Sequence, residues 1–400
     1  MTKEQSRTIW VLIISSSLIL AITMGARQSL GLFVEPLHSS SSFDIVTISL
    51  ALAIGQLTWG FVQPFFGAIA DKKGSFGVLV FGAILMFLGL ILTPFVKNEF
   101  ALMLFFGVLI SAGAGAGAFS ILIGTVSKSI PAQKRSFAAG FINAGGSFGQ
   151  FVYAPITQAF INLFGWIWAL IALAFSTLLS IPLAKKLTNK EKTVEKIEEE
   201  NNTKLKEQIF IAIKDKSYIF LNIGFFTCGF HVAFLTTHLP GEVVLCGHSA
   251  NVSAFSLALI GFFNIFGSLY AGYLGTKYKM KYILFGIYFS RALMIIIYIL
   301  SPKTELTFYI FAIFIGLTWL ATVPPTAGIV GKLFGTKYLG TLFGLTLLSH
   351  QIGAFLGAYL GGLAISFSGN FLWMWYLDIF LALLAAFINL PIKEAKINKN

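Results

Sequence analysis

Long apolar runs alternate with short polar turns along the chain. The runs fall near 9–36, 43–70, 76–95, 101–126, 137–162, 166–183, 217–239, 252–274, 282–300, 306–330, 338–361 and 371–390. Most approach or exceed the ~20 residues that cross a hydrocarbon core as a helix. The pattern predicts an all-α membrane protein of twelve transmembrane helices, in two groups of six. One long polar segment, 184–216, separates the groups, and its Lys/Glu run reads as a solvated, partly helical linker. The expected organisation is a six-helix bundle over 1–183, a cytoplasmic linker over 184–216 and a second six-helix bundle over 217–400.

The two groups repeat one another. The turn Gly67-Ala68-Ile69-Ala70-Asp71-Lys72-Lys73-Gly74 has a looser copy 205 positions on, Gly272-Tyr273-Leu274-Gly275-Thr276-Lys277-Tyr278-Lys279. Gly140, Gly149 and Phe151 recur at an offset of 204 as Gly344, Gly353 and Phe355. A parallel duplication of a six-helix unit predicts two pseudo-symmetric halves facing a central cavity, the layout of rocker-type transporters.

Composition supports this reading. Apolar residues make up 56% of the 400 positions and charged residues 11%, far below the ~25% charged residues usual in soluble domains. The net charge of +12 is a matter of topology. With the N-terminus inside, 24 of the 28 Lys and Arg fall on the cytoplasmic side and only Lys97 and Lys303 on the other. That asymmetry predicts a multi-pass protein of the cytoplasmic membrane with both termini cytoplasmic, and no nucleic-acid partner is needed to explain the charge. Cys228 and Cys246 offer neither a disulfide framework nor metal spacing. No phosphate-binding loop is present, and the run of small residues at 113–117 lies inside a helix. No cofactor, metal or enzymatic activity is expected, and a monomer in the lipid bilayer is.

Charges inside the bilayer are expensive, about 2.5–3.5 kcal/mol each on insertion scales, and mark function or pairing. Arg27 in the first segment either grips a substrate anion, pairs with Glu35 or caps helix carbonyls. Arg291 and Asp378 lie at nearly matching depths; Arg291 either pairs with Asp378 or joins Arg27 in a two-arginine anion site. His231, His350 and Asp378 are candidates to carry a coupling proton, and each histidine is equally suited to an interhelical hydrogen bond. Gln56, Gln63, Asn143, Gln150, Tyr153, Asn222, Asn264 and Thr318 line a route or join helices; Tyr153 and Asn264 are the candidates for substrate contact. Pro324-Pro325 breaks its helix, as a hinge, a binding notch or a plain kink.

The turn at 67–74 resembles the loop signature of the major facilitator superfamily, Gly-x-Leu-Ala-Asp-Arg-x-Gly-Arg-Arg, without its final basic pair. The resemblance, with the 6+6 layout, covers nearly the whole chain. It implies that Gly67, Asp71, Lys72 and Gly74 form a gating loop. Its acid would cap a helix end of the other half. Closer similarity is to the monocarboxylate-porter and YcxA-like branch. It rests on Gly25-Ala26-Arg27-Gln28 with Glu35 eight positions on, on Cys228-Gly229-Phe230-His231 leading into Thr236-Thr237-His238, and on Gly261-Phe262-Phe263-Asn264. Animal members of that branch carry Asp where Asn264 stands and Arg where Ser268 stands. The resemblance implies a secondary transporter of a small organic anion, a monocarboxylate, working by alternating access with protons. Proton-driven efflux of amphipathic compounds is the alternative, though the Gly-Pro pair of antiporters is missing after Gly149. A transporter-like receptor is the alternative from another class.

Overall fold

The computed structural model describes residues 3–127, 132–191, 205–335 and 339–394, and these contain helices but no strand. The first half holds α1 (Lys3–Gln28, continued by the 3-10 turn Leu30–Phe33 and the short helix Val34–Ser40), α2 (Ile45–Lys73), α3 (Ser75–Leu92), α4 (Glu99–Val126), α5 (Ala132–Phe164) and α6 (Trp166–Leu178, continued by Ser180–Glu191). The second holds α7 (Lys216–Leu245), α8 (Ala250–Lys277), α9 (Met280–Leu300), α10 (Glu305–Phe334), α11 (Leu339–Ser368) and α12 (Leu372–Asn389). Eleven helices among the described residues are long and apolar enough to cross a membrane. The twelfth expected span, α5, is 33 residues long but carries Asn143, Gln150, Gln158 and Asn162 and is not among the eleven.

Turn chemistry sets the boundaries. Gly74 alone joins α2 to α3 at φ 86°, ψ 157°, a conformation that essentially only glycine adopts. Asp44 caps α2 by accepting from the Thr47 amide at 2.6 Å, and that bond holds its carboxyl below the usual carboxylate range. The side chains of Asp71 and Lys72, expected in the gating loop, lie outside the described residues.

The polar segment between the halves is less uniform than expected. Ala184 and Leu187 are buried in a cluster with Ile9 and Leu12, so α6 runs on into the first half's core instead of ending at 183. The short helix Leu205–Lys214 buries Ala212 against Tyr218 and Leu221 of α7. Only 192–204 of that segment falls outside the described residues.

The duplication is visible in the packing. In the first half α1 lies along α5, in the second α7 along α11, and the halves meet where α2 packs on α11 and α5 on α8. Each pair is the pseudo-symmetric copy of the other. The terminal face of the bundle carries both chain ends: the Lys393 amide donates to Ser217 at the start of α7, and Lys332 pairs with Glu394 at 2.7 Å. At the opposite face the halves are sealed together. A Cβ on Gly31 would stand 1.9 Å from the Thr236 carbonyl oxygen, and Asn162 donates to Asn251 at 2.9 Å.

Candidate functional site

A central cavity lies between the halves. Its wall residues include Leu20 to Gln28 on α1, Phe119 and Ser120 on α4, Asn143 to Ser147 on α5, and Phe343 to Ala354 on α11. The cavity is closed beyond Arg27 by the seal at Gly31 and Thr236.

Arg27 stands at the deep end of this cavity. It occupies the last turn of the first α-helical part of α1, where the partial negative charge of a helix C-terminus favours a cation. The helix stops there: the Ser29 hydroxyl donates to the Gly25 carbonyl at 2.8 Å and a 3-10 turn follows. The guanidinium lies 4.5 Å from the ring centroid of Trp59 and donates to Gln56 Oε1. Cation–π contact and one hydrogen bond hold it in place while leaving further donors of its fork free. Glu35 forms no ion pair with it, so of the sequence readings the pair with Glu35 is not realised.

The two halves give the cavity unlike walls. The first contributes Gln28, Gln56, Gln63, Asn143 and Ser147 around Arg27; the second contributes Phe225, Val232, Leu320, Val323, Phe343 and Leu347. Three polar groups interrupt the second wall: Thr236, His350 and Gln351. His350 packs on Phe225 at 4.9 Å and its Nδ1 lies 2.8 Å from Gln351 Nε2.

Three residues expected to contact substrate stand elsewhere. Tyr153 packs against Gly25 and its hydroxyl donates to Ser176 on α6 at 3.2 Å, away from the cavity. Asn264 is fully buried and its amide is occupied: it donates to Ser147 at 2.8 Å and accepts from the Leu320 amide at 2.9 Å and Ser268 at 3.1 Å. It ties α8 to α5 across the interface between the halves and to α10. Arg291 is fully buried behind the wall and is not part of it.

Arg291 follows from the proline pair. Pro324 and Pro325 have no amide hydrogens to give to the Leu320 and Ala321 carbonyls one turn earlier; α10 is interrupted at 319–322, and the Thr318 and Trp319 carbonyls end the helix before the break. Arg291 Nη2 donates to the Thr318 carbonyl at 2.5 Å and the Trp319 carbonyl at 3.1 Å. The cation caps the C-terminal end of a half-helix. The Leu320 amide, freed by the same break, donates to Asn264. The expected direct pair of Arg291 with Asp378 is absent: Asp378 Oδ2 instead bonds His231 Nδ1 at 2.5 Å, with both side chains fully buried. Neither the ion pair nor the two-arginine site is realised, because the broken helix offers the guanidinium a nearer set of acceptors.

The sequence reading passed over Gln28, Trp59 and Gln351. A signal was available for Trp59: with Gln56 and Gln63 it lies at spacings of three and seven, one face of a helix. Gln351 had none, being one polar residue in an apolar helix.

Two six-helix halves facing each other across a cavity are the fold of a membrane transporter. The chain belongs to the Major Facilitator Superfamily, whose model matches residues 16–358. It is 24% identical to the uncharacterized MFS-type transporter YcxA of Bacillus subtilis (strain 168), over 88% of each chain. It is 25% identical to monocarboxylate transporter 13 of Rattus norvegicus, over 90% of this chain and 83% of that protein. It is 20% identical to the oxalate:formate antiporter of Oxalobacter formigenes, over 91% and 86%. Among solved structures, a D-xylose-proton symporter matches with a TM-score of 0.74 at 13% identity, covering 96% of this chain and 98% of that one. A bacterial homolog of the human lysosomal transporter Spinster, inward-facing and unoccupied, matches with a TM-score of 0.68 at 13% identity, over 98% and 95%. The chain is a multi-pass membrane transporter and not an enzyme.

Proposed function

We propose that this transporter carries a small organic anion, a monocarboxylate with an apolar body, across the cytoplasmic membrane together with a proton. The observation that carries the reading is Arg27: among the described residues it is the one cationic side chain on the cavity wall. One free guanidinium matches one carboxylate and leaves the second charge of a dicarboxylate unmatched. The mostly apolar second wall suits the remainder of such a molecule. Similarity to proteins named as monocarboxylate transporters and as an oxalate:formate antiporter supports the same cargo chemistry.

In this reading the terminal face is cytoplasmic, as the distribution of Lys and Arg argues, and the conformation is inward-facing. Outward opening requires the Gly31–Thr236 seal to part and the halves to close at the terminal face, around the turn that contains Gly67 and Gly74. The anion, held by Arg27 near the middle of the bundle, meets each side in turn without leaving its site.

Reconstitution tests this. Proteoliposomes are given radiolabelled butyrate, isovalerate, benzoate or succinate under an imposed pH gradient, with Arg27→Ala alongside. Saturable uptake of the monocarboxylates and not of succinate, falling about tenfold or more in Arg27→Ala, is the expected result; tenfold corresponds to ~1.4 kcal/mol of lost anion contact. Monocarboxylate uptake undiminished in Arg27→Ala sinks the assignment.

A further inference from the structure

We infer that the His231–Asp378 pair is a proton-binding site, separate from the anion contact at Arg27 and one layer of side chains behind the cavity wall, and that the proton enters at Nε2 of His231. The inference rests on the carboxylate reading above for its coupling role, though not for the existence of the site.

The geometry defines the atom. Asp378 and His231 are fully buried, and their shared bond of 2.5 Å joins Oδ2 to Nδ1. An ionised carboxylate only accepts, so Nδ1–H donates to it. The neutral ring then presents a lone pair at Nε2, and Nε2 has no hydrogen-bond partner. Asp378 Oδ1 and two nitrogens of Arg291, Nε and Nη1, are likewise unpartnered. Such a concentration of unsatisfied polar atoms is unusual in a buried place and characteristic of a working one. A proton taken from hydronium in the cavity water forms an N–H bond at Nε2. The O–H bond of the hydronium breaks and leaves a water molecule, and the resulting imidazolium stays bonded to the Asp378 carboxylate.

His231 does not itself line the cavity, but its neighbour in sequence does. Val232, the residue after His231, lines the cavity. The His231 ring packs edge-on against Trp319 at 5.8 Å, and Leu320, the residue after Trp319, lines it as well. The charged and titratable neighbours come from every helix around the pair. Arg291 and Tyr288 stand on α9, 5.5 Å from guanidinium to ring. Cys228 is on α7, 3.2 Å from Thr322 of α10. His350 is on α11, whose carbonyl meets Gly229. Farther along α7, His238 and Glu242 have partners of their own in the Ala358 carbonyl and Tyr298, and α8 brings no titratable side chain before Tyr270.

Charge supplies the coupling. With Arg291 balanced by Asp378 and the histidines neutral, the empty core carries the single positive charge of Arg27. A bound monoanion cancels it; a proton on His231 restores it. Empty and doubly loaded carriers therefore present the same charge to the membrane interior, whereas the carrier holding the proton alone has two. An excess charge in a low-dielectric site is costly, so anion and proton favour each other's binding by linkage.

Two measurements test the site. The first needs no cargo. Infrared difference spectra of the purified protein, taken between about pH 5 and about pH 8, should show imidazole and carboxylate bands that vanish in both His231→Gln and Asp378→Asn, with the fold of each variant verified by thermal unfolding. Bands that persist in both variants overturn the site. The second uses benzoate in proteoliposomes. Wild type should accumulate it under an inward acid gradient. Either variant should lose about tenfold more of this accumulation than of benzoate exchange at equal pH. Equal losses of both, or accumulation that ignores the gradient in wild type, overturn the coupling role while leaving the carboxylate assignment standing. If none of the monocarboxylates moves, the carboxylate assignment fails and the infrared result still decides the site.

Discussion

The carbonyl oxygen of Ala21 lies 2.0 Å from where a Cβ on Gly149 would begin, and that of Phe226 lies at the same 2.0 Å from a Cβ on Gly353. The first contact joins α1 to α5, the second α7 to α11. Gly149 and Gly353 are 204 positions apart, Ala21 and Phe226 205. The duplication has preserved a backbone-to-backbone approach that only glycine permits. Gly149→Ala and Gly353→Ala should each destabilise the bundle by at least the ~1–3 kcal/mol typical of overpacking, and by similar amounts, read as paired drops in detergent melting temperature.

Asn264 holds three hydrogen bonds and two helices. Asn264→Ala leaves the Leu320 amide buried and unpaired and removes the link to Ser147. A loss of about 2–3 kcal/mol is expected, with increased protease cleavage near the break in α10. Asn264→Ala with unchanged stability would show that the amide at Leu320 finds another acceptor.

Arg291 is a helix cap, so exchanging its charge with that of Asp378 is not expected to help. The double variant Arg291→Asp, Asp378→Arg should fold no better than either single variant, because it puts a carboxylate against the carbonyls of Thr318 and Trp319. Arg291→Met alone, which leaves the Thr318 and Trp319 carbonyls without their buried donor, should cost about 1–3 kcal/mol. Arg291→Met with Asp378→Asn should recover none of that. Fluorescence-detected thermal unfolding of the four proteins separates these outcomes.

The seal opposite the terminal face is open to a locking test. Asn162 and Asn251 touch across the halves in this conformation. In the cysteine pair Asn162→Cys, Asn251→Cys, oxidation should trap this conformation and lower benzoate uptake by about tenfold or more, with recovery on reduction. Uptake insensitive to a formed cross-link would mean that this contact survives the transport cycle.

Much of this architecture is written in hydropathy. The spans follow from apolar length, and the halves from glycines recurring at a fixed offset. Arg27 was legible because a lone cation deep in an apolar run needs a reason to be there. The partner of Asp378 was not. Depth along a helix follows from counting residues, but the direction in which each helix faces does not, and α9 turns Arg291 toward the interrupted α10. The proline pair announced that acceptors would be freed, without saying which cation would reach them. Tyr153 shows the same limit: α5 is flanked by α1, α6 and α8, so no polar stripe distinguishes its cavity face from its packing faces.

The unlike walls of the cavity divide the labour of recognition. Under the proposed assignment, the first half would hold the ionic head by directional bonds that tolerate little displacement. The second touches the rest of the molecule through contacts that can slide without any bond being broken, so the halves can swing past a bound anion with one side acting as a grip and the other as a bearing surface. Discrimination between homologous acids would then come mainly from the sliding side. There each added methylene, while space lasts, is worth about 0.8 kcal/mol, or roughly fourfold in affinity.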